Sequence, residues 1–264
     1  PDLWRLPKPG PGSHKYQRGH ALIFGGPVMT GAARLAAQAA RRVGAGMATL
    51  AALKAAVPIY AIDQPGLIVQ PVDSKTNLLA LIQQRKITSA LIGPGAGLTN
   101  ETKKRTLSLM ASRLPLVVDA DAITQFASDP QRLFKAIQGP VLLTPHEGEF
   151  RRLFAWQDDR LAAVREAARL SGAVVLLKGS DSVIAAPDGR ALINDAPADL
   201  ATAGSGDVLA GLAVGLLAQG LDPLAAAGAA AWLHAEAGRA IGAGLIAEDI
   251  ADRLPSILEM WRRA

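Results

Sequence analysis

ALIFGGPVMTGAARLAAQAARRVGAG, residues 21–46, is the stretch on which the fold turns. Its first residues run apolar without a break into Gly25-Gly26, and from Thr30 the apolar positions recur three and four apart. An uninterrupted apolar run is a strand buried on both faces, whereas a three-and-four spacing is a helix with one packed face. The unit is therefore strand, glycine turn, helix, and it recurs. Strand-like runs follow at MATLAAL (47–53), GLIVQP (66–71), SALIGPG (89–95), PLVVDAD (115–121), PVLLTPH (140–146) and AVVLLKG (173–179), mostly with helical patterns between them. This alternation predicts an α/β fold, a mostly parallel central sheet with helices on both faces. SVIAAPDGRALIND (182–195) breaks the pattern: two short runs joined at Pro-Asp-Gly predict a hairpin, whose turn suits a longer loop as well as a tight one. Mostly helices follow to the end.

The totals exclude several classes. The chain has 264 residues, half of them hydrophobic, which is ample for a three-layer core. Its net charge of +5 is modest and spread out, and the densest basic cluster, Lys103-Lys104-Arg105, lies in a polar helical pattern and reads as a solvated face. Aromatics make up only 4%, so no stacking platform is present and a nucleic-acid partner is not expected. With no cysteine, disulfides, thiolate metal sites and cysteine nucleophiles are excluded. No charged-then-apolar leader opens the sequence. The uncharged run Val208–Leu221 contains three glycines and is shorter than the roughly 20 apolar residues of a membrane span, so it predicts a buried helix. A cytoplasmic protein without membrane contact is expected. No low-complexity tract or repeat divides the chain, and a single domain is expected over 14–264, with the Pro/Gly-rich residues 1–13 as a lead-in.

In open parallel sheets ligands bind beyond the carboxyl ends of the strands. Here those ends carry Gly25-Gly26, GPGAG (93–97), Asp119 and Asp121, TPHEGE (144–149) and Lys178-Gly179. GPGAG lacks the G-x-G-x-x-G spacing of dinucleotide folds, and the P-loop signature is absent. Its glycines either make a tight turn or let a ligand approach the bare backbone. TPHEGE reads either as a helix start, with Thr144 or His146 capping and early glutamates meeting the helix dipole, or as a ligand contact. His146 and His234 lack company at metal-ligand spacing, so zinc is not expected. HKYQRGH (14–20) is either surface decoration or a contact for an anionic ligand.

ATAGSGDVLAGLAVGLLAQG (201–220) carries the strongest signal. Gly204, Ser205 and Gly206 offer free backbone N–H groups as a helix begins, which suits an anion. Asp207, in the first turn, either caps the helix or acts as a base. Capping alone does not call for three preceding small residues. Donors at a helix tip with a carboxylate beside them make a phosphoryl-transfer site.

Together HKYQRGH, GAARLAAQAARRVGAG, GPGAG, DADA, TPHEGE, LLKG and ATAGSGD, in that order and over about residues 14–240, resemble the ADP/ATP-dependent NAD(P)H-hydrate dehydratases, repair enzymes with a three-layer α/β/α ribokinase-like fold. The resemblance implies dehydration of the (6S) hydrate of NADH or NADPH back to the intact cofactor, with ADP or ATP as co-substrate and Mg²⁺ at the phosphates. The ring hydroxyl is phosphorylated and then eliminated. By the same resemblance Ala32, Gly97 and His146 line the hydrate pocket. Lys178, Gly179, Ser180, Asp181 and Ser182 hold the adenine nucleotide, and Gly206 meets its phosphates. Asp207 deprotonates the hydroxyl, and Glu149 matches an acidic residue near the magnesium, acting directly or through water. Three departures stand out: Glu147 replaces a usual proline, Ala203-Gly204 a usual glycine pair, and Ala196-Pro197 a usual Gly-Asn. The last puts one polar pocket contact in doubt. Many family members are the C-terminal half of a longer chain whose other half epimerises the same hydrate, and a start at PDLWRLPKPGPGSHKY fits a domain of such a protein. A homo-oligomer is expected, from the Ala- and Gly-rich segments 30–46 and 223–244. Two rival readings share Asp207 and the anion hole: a kinase of the same fold acting on a small alcohol such as a vitamin precursor, and an inactive nucleotide-binding regulatory module.

Overall fold

The computed structural model describes residues 3–263 apart from 11 and 63, so residues 1, 2 and 11 of the expected lead-in lie outside the described residues. The chain begins with β1 (His20–Phe24), α1 (Thr30–Arg42), β2 (Met47–Ala52), a short α2 (Val57–Tyr60) and β3 (Ile68–Pro71). It continues through α3 (Lys75–Arg85), β4 (Ser89–Ile92), α4 (Asn100–Ala111), β5 (Leu116–Val118), α5 (Ala120–Thr124), α6 (Pro130–Ala136) and β6 (Val141–Leu143). Next come α7 (Glu147–Leu153), α8 (Arg160–Ser171), β7 (Val174–Leu177) and the hairpin of β8 (Asp181–Ala185) and β9 (Ala191–Asp195). The helices α9 (Ser205–Ala218), α10 (Pro223–Ile241) and α11 (Ala247–Arg263) close it.

Among the described residues nine strands form one sheet in the order β3-β2-β1-β4-β5-β6-β7-β8-β9. The pairings from β3 across to β7 are parallel, and β8 and β9 are antiparallel. The hairpin turn is the longer of the two forms its sequence allows, spanning residues 186–190. From β1 the chain builds outward to β3 and then returns to the other side of β1 with β4. That reversal opens a crevice at the carboxyl ends of β1 and β4.

Unbroken apolar strands leave both sheet faces needing cover, and two cores supply it. Ala21, Ile23, Leu50, Leu91, Val117 and Leu142 point into the core beneath α1, α9, α10 and α11. Their neighbours Leu22, Phe24, Ile92, Leu116, Val118 and Leu143 point into the other, shared with residues of α3 to α8. β3 differs from the expected doubly buried strand: it is a half-exposed edge, where Pro71 can lack its N–H without breaking a ladder.

α9 is buried from Val208 to Ala218, as its uncharged run predicts. Its glycines set the packing against α1. A Cβ added at Gly211 would lie 2.3 Å from the Ala36 carbonyl oxygen, and one at Gly215 would lie 2.7 Å from that of Ala40. The two backbones are therefore in contact, and α1 contributes alanines to match. Gly211→Val is expected to destabilise the fold by about 3 kcal/mol or more through overpacking; a urea midpoint unchanged from the parent would refute this contact. The small faces of α1 and α10 are thus used against α9 and α11 within one chain. The lead-in is joined to the same core, since Leu6 is buried and Trp4 packs beside Gly228 of α10. Among the described residues no helix is long and apolar enough to cross a membrane.

Candidate active site

Sheet order sets out the strand-end groups in a row: glycines after β1 and β4, carboxylates after β5, the TPHEGE turn after β6 and Lys178 after β7. Two of the junctions are tied by hydrogen bonds. The Gly97 N–H donates to Asp121 Oδ2 at 2.8 Å, and the Lys178 N–H donates to the Pro145 carbonyl at 2.9 Å. Between Asp119 and Asp121, Ala120 adopts φ +44°, a left-handed conformation that costs a non-glycine residue of the order of 1 kcal/mol. Such strain at a carboxylate pair is a mark of a functional segment.

The row converges on the N-terminus of α9. Lys178 Nζ donates to Asp119 Oδ1 at 2.7 Å and lies 4.0 Å from Glu149 Oε2. Gly206 is beside it, where an added Cβ would be 3.6 Å from Nζ. Burial works to discharge this lysine, but Asp119, Glu149 and Asp207 outweigh it and hold its pKa above the ordinary lysine value. The carboxylates respond in the opposite sense. Asp207 is pushed up to about 6, chiefly by burial and next by the charge of Asp119, with Lys178 opposing. Glu149 is also raised, by burial first and Asp119 after it, against the pull of Lys178. One ammonium among three acids leaves Asp207 a carboxyl that ionises near neutrality.

TPHEGE is a helix start in geometry. His146 Nδ1 accepts from the Gly148 N–H at 2.9 Å, and Glu149 Oε2 accepts from the His146 N–H at 2.9 Å, a reciprocal cap on α7. Glu149 Oε1 faces His146 Nε2 at 3.4 Å. Both Glu149 oxygens are thus engaged, and among the described residues no three His, Asp or Glu side chains are grouped to hold a metal. The donors present suit a magnesium ion that keeps most of its waters and rides on substrate phosphates. Glu147, in place of a proline, is exposed and pairs with Arg151 at 2.8 Å.

A cavity of about 520 Å³ opens beside this cluster. Lys178, Gly179, Ser180, Ser182, Ser205 and Gly206 line it together with His146, and Pro197, Leu200 and Leu209 form its apolar wall. Asp181 does not line it; its carbonyl accepts from Arg160 at 3.3 Å. Ala196 and Pro197 do line it, so the departure from Gly-Asn falls at the cavity wall. Gly204 stands at φ +87° as the residue before α9, a conformation glycine adopts without penalty, and Ala203 precedes it without needing that freedom. Ala32 and Gly97 lie off this cavity, on the segments leaving β1 and β4, on the far side of the Asp119–Asp121 pair in sheet order. Hollows of about 550 and 640 Å³ elsewhere contain none of these groups.

Sequence reasoning missed one residue. His234 of α10 is buried against the cavity, with Nε2 3.0 Å from Ser205 Oγ and 3.0 Å from the Ser205 carbonyl oxygen. Burial lowers its pKa to about 4, the Ser205 carbonyl opposing and Lys178 adding to the fall. The signal available in the sequence was a lone histidine within the alanine-rich run AAAGAAAWLHAEAG.

Comparison with known proteins gives this arrangement a family. A family model described as NAD(P)H-hydrate dehydratase matches residues 21–259. The ADP-dependent (S)-NAD(P)H-hydrate dehydratase of Xanthomonas campestris pv. campestris is 35% identical, over 97% of this chain and 94% of that protein. The bifunctional NAD(P)H-hydrate repair enzyme of Salinibacter ruber is 39% identical, over 95% of this chain and 50% of that protein. The chain spans about half the length of such bifunctional relatives. The ADP/ATP-dependent NAD(P)H-hydrate dehydratase of Bacillus subtilis, co-crystallised with ATP/Mg²⁺, superimposes with a TM-score of 0.85 at 31% identity, over 98% of this chain and 94% of that one. The three-layer architecture is the ribokinase-like one. Sequence, fold and the order of the strand-end motifs agree: the chain belongs to the NAD(P)H-hydrate dehydratase family.

Proposed function

We propose that the chain dehydrates the (S) hydrate of NADH or NADPH back to the reduced cofactor, with ADP or ATP as co-substrate. The observation that supports this most is Asp207, a carboxyl that ionises at about 6 beside the N–H groups of Gly204 and Gly206 and the cavity of Lys178; the Ser205 N–H is already given to the Thr202 carbonyl at 3.3 Å. A base whose pKa lies near the working pH is both ionised and able to take a proton. The adenine nucleotide occupies the cavity, with Lys178, Gly179, Ser180 and Ser182 along it and Gly206 at its phosphates; Asp181 contributes backbone only. The hydrate lies toward Ala32 and Gly97, and His146 stands where the two ligands meet.

Asp207 takes the proton of the ring hydroxyl as its oxygen attacks the terminal phosphorus and the bond to the remaining nucleotide breaks. The phosphate ester then leaves as phosphate with loss of a proton from the neighbouring carbon, restoring the ring double bond. Lys178 and the N–H groups at the tip of α9 hold the transferring charge. Magnesium carried by the nucleotide phosphates supplies further charge neutralisation. An epimerase that interconverts the two hydrate forms, fused or separate, is the partner this reading calls for, and the cytoplasm is where it acts.

Mixed with hydrated NADH, ADP or ATP and magnesium, the protein is expected to restore the near-ultraviolet absorbance of the reduced ring and release equimolar phosphate. A stable phosphorylated alcohol in place of restored cofactor would replace this reading with a small-alcohol kinase. Nucleotide binding without either product would leave a regulatory module.

A further inference from the structure

Ser205 opens α9, and His234 lies in α10, 29 residues on. Both are buried and both line the cavity. His234 Nε2 is 3.0 Å from two oxygens, the Ser205 carbonyl and Ser205 Oγ. A carbonyl oxygen only accepts, so Nε2 carries the ring proton, and the neutral imidazole is held in that tautomer. With that proton on Nε2, the ring nitrogen has no lone pair to take the serine's proton. Ser205 Oγ therefore shares the Nε2–H as an acceptor, and its own proton has no acceptor among the described residues. A buried donor in that condition is costly unless a ligand completes it. Ser205 is 4% exposed and borders the cavity beside Gly206.

We propose that His234 is a positioning residue for the nucleotide phosphates: by keeping Nε2–H on Ser205, it turns the serine hydroxyl proton into the cavity as a donor to a phosphoryl oxygen. The anion hole then has a hydroxyl donor besides its backbone N–H groups, set from a helix remote in sequence. This rests on the nucleotide reading of the cavity and extends it. A tie that merely fastened α10 to α9 would carry no preference for phosphate, and that difference is measurable.

Calorimetric titration of ADP and of adenosine into the parent and its variants decides it. His234→Leu and Ser205→Ala are each expected to weaken ADP binding about tenfold, the scale of one hydrogen bond to a charged group, with adenosine affinity unchanged. His234→Gln, whose amide N–H replaces the donor, keeps most of the ADP affinity. The double variant His234→Leu/Ser205→Ala binds ADP no more weakly than either single one, because both act through one hydroxyl. Unchanged ADP affinity in His234→Leu, parallel loss of ADP and adenosine, or losses that multiply in the double variant would each overturn the proposal. Where His234→Leu does not fold, judged by circular dichroism, the ADP-specific loss in Ser205→Ala and its absence in His234→Gln decide in its place. A parent that binds ADP but does not dehydrate the hydrate counts against the dehydratase reading alone, and the ADP results still decide the role of His234. A parent without ADP affinity overturns both.

Discussion

Asp207→Asn is expected to cut turnover by about 10²–10⁴ while leaving nucleotide affinity close to that of the parent. The substitution keeps size and removes the proton acceptor. It also removes a negative charge from a site built for phosphate, so nucleotide binding has no reason to weaken. Turnover within tenfold of the parent would remove Asp207 from the role of base. The same carboxyl governs pH dependence. In the parent kcat/KM should fall as pH drops through about 6, where Asp207 takes up its proton, and the residual rate of Asp207→Asn should lack that limb. Stability runs the other way. The folded value of about 6 lies above the ordinary 3.8, so the native state favours the protonated acid. That contribution is complete below about pH 4 and is lost as pH rises through 6. Asp207→Asn should therefore be more stable than the parent at pH 8, by about 2 kcal/mol after allowance for partial exposure, and no more stable near pH 3.5. An equal or lower melting temperature at pH 8 would mean that the carboxylate is not held against its solvation preference.

Lys178→Met carries the largest expected loss of stability. Asp119 is 1% exposed, and among the described residues Lys178 is its ion-pair partner. Replacing the ammonium by an apolar chain of similar length leaves a buried carboxylate uncompensated, which typically costs about 3–5 kcal/mol. Urea unfolding at pH 7 measures it, and a loss under about 1 kcal/mol would show the pair to be dispensable. The second substitution Asp119→Asn in the same chain should recover most of that loss, because it removes the stranded charge. Activity should not return with it. Lys178 also restrains the proton affinities of Asp207 and Glu149, so without it Asp207 ionises above 6 and the base is scarcer at neutral pH.

These predictions draw on parts of the molecule that were unequally legible. The strand runs of 21–26, 115–118 and 140–143 showed where the sheet lies, because a strand buried on both faces must be apolar throughout. The glycine and acidic strand ends followed at once, since parallel strands present one edge. TPHEGE was legible as a helix start, and His146 and Glu149 do form a reciprocal cap. Partners far apart in sequence were not legible. The Lys178–Asp119 bond spans 59 residues, and Ser205–His234 spans 29. Neither spacing follows from a helix or strand period. His234 sat in an apolar helix with the look of an ordinary core histidine, and its tautomer depends on a carbonyl contributed by α9.

The resemblance of the ordered motifs, and not periodicity, pointed to the family, while hydrophobic periodicity was enough to define the layers, the parallel sheet and the buried helix behind Asp207. Those properties are local: each strand or helix carries its own pattern of burial. Which carboxylate holds the lysine, why Asp207 ionises near 6 and Lys178 stays charged, and where the Ser205 proton can go all arose from packing. Charges and donors from β5, α7, β7, α9 and α10 meet there at low dielectric, and an interaction energy between them exists only once the chain has brought them within a few ångströms.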